Sequence, residues 1–187
     1  MRILSGKYKN KPLKSPQSET THPMGEREKL ALFNMLLSEL DEQGFENLTV
    51  LDAFAGSGAL GLEALSRGAA SVTFVDNNEK ALSALKSNLS ALSLASSSAR
   101  VIKNPVSALV SKTPNKLAPA SFDLIFADPP YSVYTPELVA PLAPLLKPSG
   151  LLVLSSPKSA DVADFAPLSL LKSKTYAAAR ISLFRHI

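Results

Sequence analysis

Two short stretches of the chain have residue types and spacing suited to chemistry. The first is Asp128-Pro-Pro-Tyr131, directly after the apolar run Phe122–Ala127. Pro129 keeps Asp128 out of the helical region, and neither Pro129 nor Pro130 has an N–H. The turn therefore presents acceptors, the Asp128 carboxylate and the Pro129 carbonyl, without competing donors. Tyr131 adds a ring that can stack on a flat substrate. Acceptors beside an aromatic plate suit an exocyclic amino group: they hold its N–H protons and aim its nitrogen. The second stretch is Leu51-Asp-Ala-Phe-Ala-Gly-Ser-Gly-Ala-Leu-Gly61, in which Gly56, Gly58 and Gly61 read G-x-G-x-x-G between a strand and a helix. Such a turn lets a ligand approach the main chain. Either a dinucleotide or S-adenosylmethionine (SAM) fits it. Asp52 favours SAM, because a carboxylate there faces a cationic amino-acid end but repels a pyrophosphate. Asp76, 24 residues after Asp52, closes the next strand and can accept from ribose hydroxyls in either cofactor.

Elements that position these groups follow from periodicity. Apolar residues at Leu30, Phe33, Leu36, Leu37 and Leu40 predict a helix over 26–40, ended by Gly44. Strands are predicted at 48–54, 71–75, 101–102, 122–127, 151–155, 168–171 and 179–184. Helices are predicted at 59–67, 78–94 and 136–146, the last interrupted by Pro141 and Pro144. Alternating strands and helices imply an α/β fold: a Rossmann-like, seven-stranded, mostly parallel sheet with helices on both faces. The last strands lack a full helix between them, so one is free to run antiparallel. Residues 2–5 and 7–13 read as two short strands around Gly6 or as an irregular arm. Phe33, Phe54, Phe74 and Phe126 have core spacing.

Composition removes other chemistries. The 187 residues are 45% hydrophobic and 19% charged, enough for one domain with a sizeable core. Without cysteine there is no thiolate metal site, disulfide or thiol nucleophile, and the two histidines, His22 and His186, stand at opposite ends. No metal is expected. Apolar runs fall far below the ~18 residues that span a bilayer, and no apolar signal segment follows the first residues. A cytoplasmic monomer is expected. The net charge of +4 is concentrated: residues 1–18 carry Arg2, Lys7, Lys9, Lys11 and Lys14 and no acid, leaving the rest at −1. A basic arm and linker over 1–25, preceding a domain over 26–187, is the expected organisation. Such a block suits a polyanion partner or a solvated tail.

These residues also carry a resemblance. Asp52–Gly58 with Asp128-Pro-Pro-Tyr resemble the class I SAM-dependent methyltransferases of amino nitrogens. Met1-Arg-Ile-Leu-Ser-Gly-Lys-Tyr-Lys-Asn-Lys-Pro-Leu, Leu32-Phe-Asn-Met-Leu, the 51–69 segment and Ala127-Asp-Pro-Pro-Tyr are similar to the RsmD family, which methylates the N2 amino group of a guanine in 16S ribosomal RNA. The resemblance implies SAM contacts at Asp52, Gly56, Ser57, Gly58 and Asp76; Ala55 belongs to the same turn, Asn77 follows Asp76 where it can reach the ribose or adenine edge, and Asn104 is the candidate near the adenine after the third strand. It implies a catalytic and base-binding turn at Asp128, Pro129, Pro130 and Tyr131. It implies contacts to 16S RNA or the 30S subunit from Arg2, Lys7, Lys9, Lys11 and Arg27. Three stretches depart from the family pattern: His22-Pro23-Met24 replaces Arg-Pro-Thr, Asn104-Pro105-Val106 follows the third strand, and Ser155-Ser156-Pro157 stands where some members carry Glu. Lys29 reads as a phosphate contact or a solvated face, and Glu63 as a surface or packing residue. Methylation of adenine N6 or a glutamine amide, a non-catalytic RNA-binding assembly factor, and a dinucleotide oxidoreductase are the competing readings.

Overall fold

A computed structural model of the chain describes residues 1–16, 24–109, 117–162, 164–176 and 179–187. The linker residues His22 and Pro23 and most of the expected loop at 111–121 lie outside them. The elements run α1 (Glu26–Leu37), β1 (Thr49–Asp52), α2 (Ala59–Ser66), β2 (Ser71–Asp76), α3 (Glu79–Ala91), β3 (Ala99–Lys103), β4 (Phe122–Ala127), α4 (Pro136–Val139), β5 (Leu146–Pro157), β6 (Leu168–Tyr176) and β7 (Ala179–His186). They build one seven-stranded sheet in the order β3-β2-β1-β4-β5-β7-β6. β7 runs antiparallel to both neighbours, and the other pairs are parallel. This is the mostly parallel, doubly covered sheet that the alternating pattern predicts.

The chain moves outward from β1 through β2 to β3, then returns to place β4 on the other side of β1. The β1–β4 boundary is thus the point where strand order reverses, and ligands of such sheets bind outside the strand carboxyl ends there. Alternation along the buried strands sends Val50, Leu124 and Phe126 into one core and Leu51, Ile125 and Leu152 into the other. Phe33, Phe74 and Phe126 are fully buried, while Phe54 is partly buried against the second core. Among the described residues, no helix is long and apolar enough to cross a membrane.

Several local expectations need correction. Helix α1 stops at Leu37, not Leu40. Ser38 caps it, and the Glu39 carboxylate is drawn instead to Lys172 and Arg185, at 2.6 and 2.9 Å. The predicted 136–146 helix is a single α turn followed by 3₁₀ turns over 140–145, because Pro141 and Pro144 remove backbone donors. β5 starts at Leu146 rather than Leu151: the pairing shifts between Phe122 and Leu124, and Ser149 and Gly150 take up the extra length.

Of the two readings of the N-terminal residues, the structure shows the irregular arm, held by a single antiparallel bridge from Arg2 to Pro12. Gly6 and Asn10 take positive φ, and Pro12 has no N–H to extend a ladder. The segment nevertheless packs tightly. Ile3 and Leu13 enter the core beside Leu32 and Phe33. A Cβ on Gly6 would lie 1.7 Å from the Ser66 carbonyl oxygen, so only glycine lets the arm approach the end of α2 this closely. Lys7 N–H donates to that carbonyl at 2.7 Å.

Candidate active site

The site stands at the carboxyl ends of β2, β1, β4 and β5. Asp76 and Asp52 are the last residues of β2 and β1, and Asp128 directly follows β4. Three of these strands thus end on or just before a carboxylate, and the three acids gather at this sheet edge.

Glycines of the β1–α2 turn divide by role. A Cβ on Gly58 would meet Leu85 at 2.5 Å, and one on Gly61 would meet Phe74 at 2.4 Å, so both are packing glycines. Gly56 takes φ +54 and has nothing within 4 Å of the same position. It alone leaves open space beside the main chain. The Gly56 N–H donates to Asp76 Oδ2 at 2.8 Å, and Asn78 N–H donates to Oδ1 at 2.8 Å. Asp76 is thereby fixed, and each oxygen keeps a second lone pair for another donor. Asn77, beside it, is exposed, and Asn78 caps α3 by accepting from Ala81 N–H. Asn104 donates its N–H to the Asp76 carbonyl at 3.1 Å, which brings the end of β3 to the same edge. Ala55 and Ser57 are buried within the turn.

Asp52 lies beneath the turn, 1% exposed, and accepts from Gly61 N–H at 2.9 Å. Burial pushes its carboxyl up to about 7, with the neighbouring Asp128 and Asp76 charges adding to the effect against the Gly61 hydrogen bond. The folded protein then holds a proton that the unfolded chain loses near pH 4. Stability falls as pH rises from about 4 to about 7 and levels off above. Asp52→Asn, which keeps an oxygen for Gly61, should flatten this slope. Its Tm should match wild type near pH 4 and exceed it at pH 8, as thermal melts across that range will register.

Asp128 is half-buried, and burial pushes its carboxyl up to about 6; the Ser155 hydroxyl pulls it down and Glu28 raises it. Pro129 is buried, Pro130 exposed, and Tyr131 is 39% exposed with its hydroxyl 2.8 Å from Ser155 Oγ.

Three polar residues here are not legible in the sequence as site residues. Ser155, marked only by a departure in its stretch, faces the Asp-Pro-Pro-Tyr turn. Asn88 is 2% exposed on α3. Its side chain donates to the Ser57 carbonyl at 2.9 Å, donates to the Lys14 carbonyl at 3.0 Å, and accepts from Lys14 N–H at 2.8 Å. Its place at helical spacing between Leu85 and Leu92 is a readable signal: an uncharged polar residue on a core face needs buried partners.

Glu63 is neither surface nor ordinary packing. It is fully buried and accepts from Leu4 N–H at 2.7 Å, Ser5 N–H at 2.9 Å and Arg67 Nε at 3.0 Å, with Lys29 Nζ at 3.1 Å. Lys29 is consequently not an RNA contact or a solvated face: it is 1% exposed and also donates to the Arg2 carbonyl. Burial lowers its ammonium pKa, and Glu63 opposes that. Arg67 lies over the Phe33 ring at 4.6 Å. Lys7, Lys9, Lys11, Lys14 and Arg27 are exposed, and the exposed Arg2 pairs with Glu26 at 3.2 Å.

A parallel sheet reversing at β1–β4, an antiparallel C-terminal hairpin and a glycine turn opposite a strand-end Asp-Pro-Pro-Tyr define a class I methyltransferase fold. The profile of the family described as "Conserved hypothetical protein 95" matches residues 1–185, and the chain belongs to that family, the RsmD family. Among its relatives is the ribosomal RNA small subunit methyltransferase D of Haemophilus influenzae, 32% identical over all of this chain and 94% of that one. The relative of the same name in Escherichia coli K12 is 37% identical over 70% of this chain and 60% of its own. Among solved structures, the Escherichia coli protein yhhF, described provisionally as a methyltransferase, superposes with a TM-score of 0.82 at 27% identity, over 100% of this chain and 97% of that one.

Proposed function

We propose that this methyltransferase moves a methyl group from SAM to the N2 amino group of a guanine in 16S ribosomal RNA. The observation that carries the reading is the pairing of two turns at one switch point: an open Gly56 beside Asp76, and Asp128 with an exposed Tyr131 ring. The relatives named for the small ribosomal subunit supply the RNA class.

Residues of the first turn fit SAM. Gly56 leaves room at the main chain, Asp76 has acceptor capacity for ribose hydroxyls, and Asp52 supports the turn from beneath through the Gly61 N–H. When bound, SAM supplies an electrophilic methyl on a sulfonium. This chain's residues supply the rest. A guanine leaves its stack to reach the turn. The Asp128 carboxylate and the Pro129 carbonyl accept from its amino group, and Tyr131 stacks on the ring. Hydrogen bonds to the amino protons draw the nitrogen lone pair out of the ring, and positioning supplies much of the rate. Asp128, held near pKa 6 by burial, is suited to take the proton that leaves the methylated nitrogen.

Naked 16S RNA and 30S particles incubated with labelled SAM, followed by nuclease digestion and mapping, test the proposal. N2-methylguanosine at one position supports it. N6-methyladenosine, or label only in protein, overturns it.

The exposed lysines of the arm give a separate expectation. Replacing Lys7, Lys9, Lys11 and Lys14 with Gln should weaken RNA binding. It should also flatten the plot of log affinity against log salt by roughly 0.7 for each phosphate the arm no longer neutralises. RNA affinities measured at several salt concentrations check this; identical slopes would remove the arm from the RNA interface.

A further inference from the structure

The catalytic turn is a loop, and loops hold side chains less rigidly than sheets. Ser155 is the opposite case. It lies in β5 between β4 and β7, paired with Ile181 on one side, while its neighbour Leu154 pairs with Ala127 on the other. The parallel β4–β5 register therefore releases Asp128 and Ser155 at the same level of the sheet edge. Ser155 is 1% exposed, and its Oγ lies 2.8 Å from the Tyr131 hydroxyl.

We propose that Ser155 is a positioning residue for methyl transfer: from the centre of the sheet its hydroxyl ties Tyr131 and Asp128 into one hydrogen-bonded line. The line sets ring and carboxylate against the same amino group. This rests on the function proposed above. A serine hydroxyl has one proton to give, and a carboxylate can only accept. In the proposed line, then, Ser155 donates to Asp128 and Tyr131 donates to Ser155. One carboxylate oxygen is occupied in this way, leaving the other for the base. The Tyr131 ring is held by its hydroxyl, with its face free to stack. The electrostatics agree at the carboxylate: the Ser155 hydroxyl lowers Asp128, against the burial that raises it.

The experiment compares Ser155→Ala with Ser155→Thr, which keeps the hydroxyl on a β-branched side chain suited to a strand. In Ser155→Ala, kcat should fall ~10–100-fold, the scale of a misplaced catalytic group. SAM affinity should stay within about twofold of wild type, since β4 lies between Ser155 on β5 and the strand that leads into the glycine turn. The acid limb of the kcat profile should move toward higher pH, because Asp128 loses a donor. Ser155→Thr should recover most of kcat. Tyr131→Phe breaks the same line without altering the sheet, so the double variant should be no slower than Ser155→Ala alone. Carbon-13 NMR titration of the Asp128 carboxyl reads the link without substrate, and its midpoint should rise in Ser155→Ala. A wild-type kcat and an unmoved midpoint in that variant would overturn the proposal, as would fully additive losses in the double variant. If the wild-type protein methylates no RNA, the proposed function fails, and the titration alone then decides whether Ser155 holds Asp128.

Discussion

Asp128→Ala should lower methyl transfer by ~10²–10⁴-fold, the range for loss of a positioned acid–base group. SAM affinity should change little. The Asp128 carboxylate follows β4, whereas the open Gly56 and the fixed Asp76 belong to the β1 and β2 ends. Asp128→Asn should fall between the two, since its amide oxygen still accepts from an amino group but cannot take a proton. The pH dependence gives a second handle. The carboxyl sits near 6, so kcat in the wild type should rise with pH through that region as Asp128 ionises. The asparagine variant should lack that limb. Single-turnover transfer from labelled SAM, with calorimetric titration of the cofactor, measures both halves. An Asp128→Ala protein that turns over like wild type would refute the chemistry assigned to the turn.

The largest effect on stability should come from Glu63→Ala. Its carboxylate is fully buried and takes hydrogen bonds from Leu4, Ser5 and Arg67, with Lys29 alongside. Removing it leaves the Lys29 ammonium buried without its acidic partner, and two backbone N–H groups lose their acceptor. Breaking a buried pair by deleting one partner costs roughly 3–5 kcal/mol. For a chain of this length, that lowers Tm by roughly 10 °C. Glu63→Gln should be milder, because a neutral amide offers one acceptor oxygen where the carboxylate has two. Lys29→Met in the Glu63→Ala background should recover part of the loss, since it removes the stranded charge. Thermal melts of the single and double variants test this; equal Tm values for Glu63→Ala and wild type would mean that the cluster contributes nothing.

Strand-end chemistry is the most readable part of the sequence. An apolar run closed by a carboxylate locates a sheet edge, so pattern alone places Asp52, Asp76 and Asp128 on one edge. The antiparallel β7 follows from the missing helix between the last strands. What pattern does not convey is contact between residues distant in the chain. Glu63 looks ordinary because its donors, Leu4 and Ser5, lie nearly sixty residues upstream in a segment that reads as a solvated arm. Lys29 misleads for the same reason: its periodicity marks a helix face but not what covers that face. The G-x-G-x-x-G spacing also hides a division of labour, since Gly58 and Gly61 answer to Leu85 and Phe74 from other elements. Ser155 acquires its role only from the β4–β5 register, which no local spacing encodes.

Asn88 joins two places that the sequence keeps apart. A single buried amide holds the Ser57 carbonyl of the glycine turn and both backbone groups of Lys14, where the arm ends. The consequence is thermodynamic. If Asn88 passes stiffness from the turn to the arm at Lys14, occupants of the two places share a coupling free energy. Linkage makes that coupling reciprocal: if a polyanion held by the arm raises affinity for a cofactor at the turn by some factor, the cofactor raises affinity for the polyanion by the same factor. If the arm holds RNA and the turn holds SAM, as proposed, the arm is a handle by which the substrate tunes cofactor occupancy, and Asn88 is where the two binding equilibria meet.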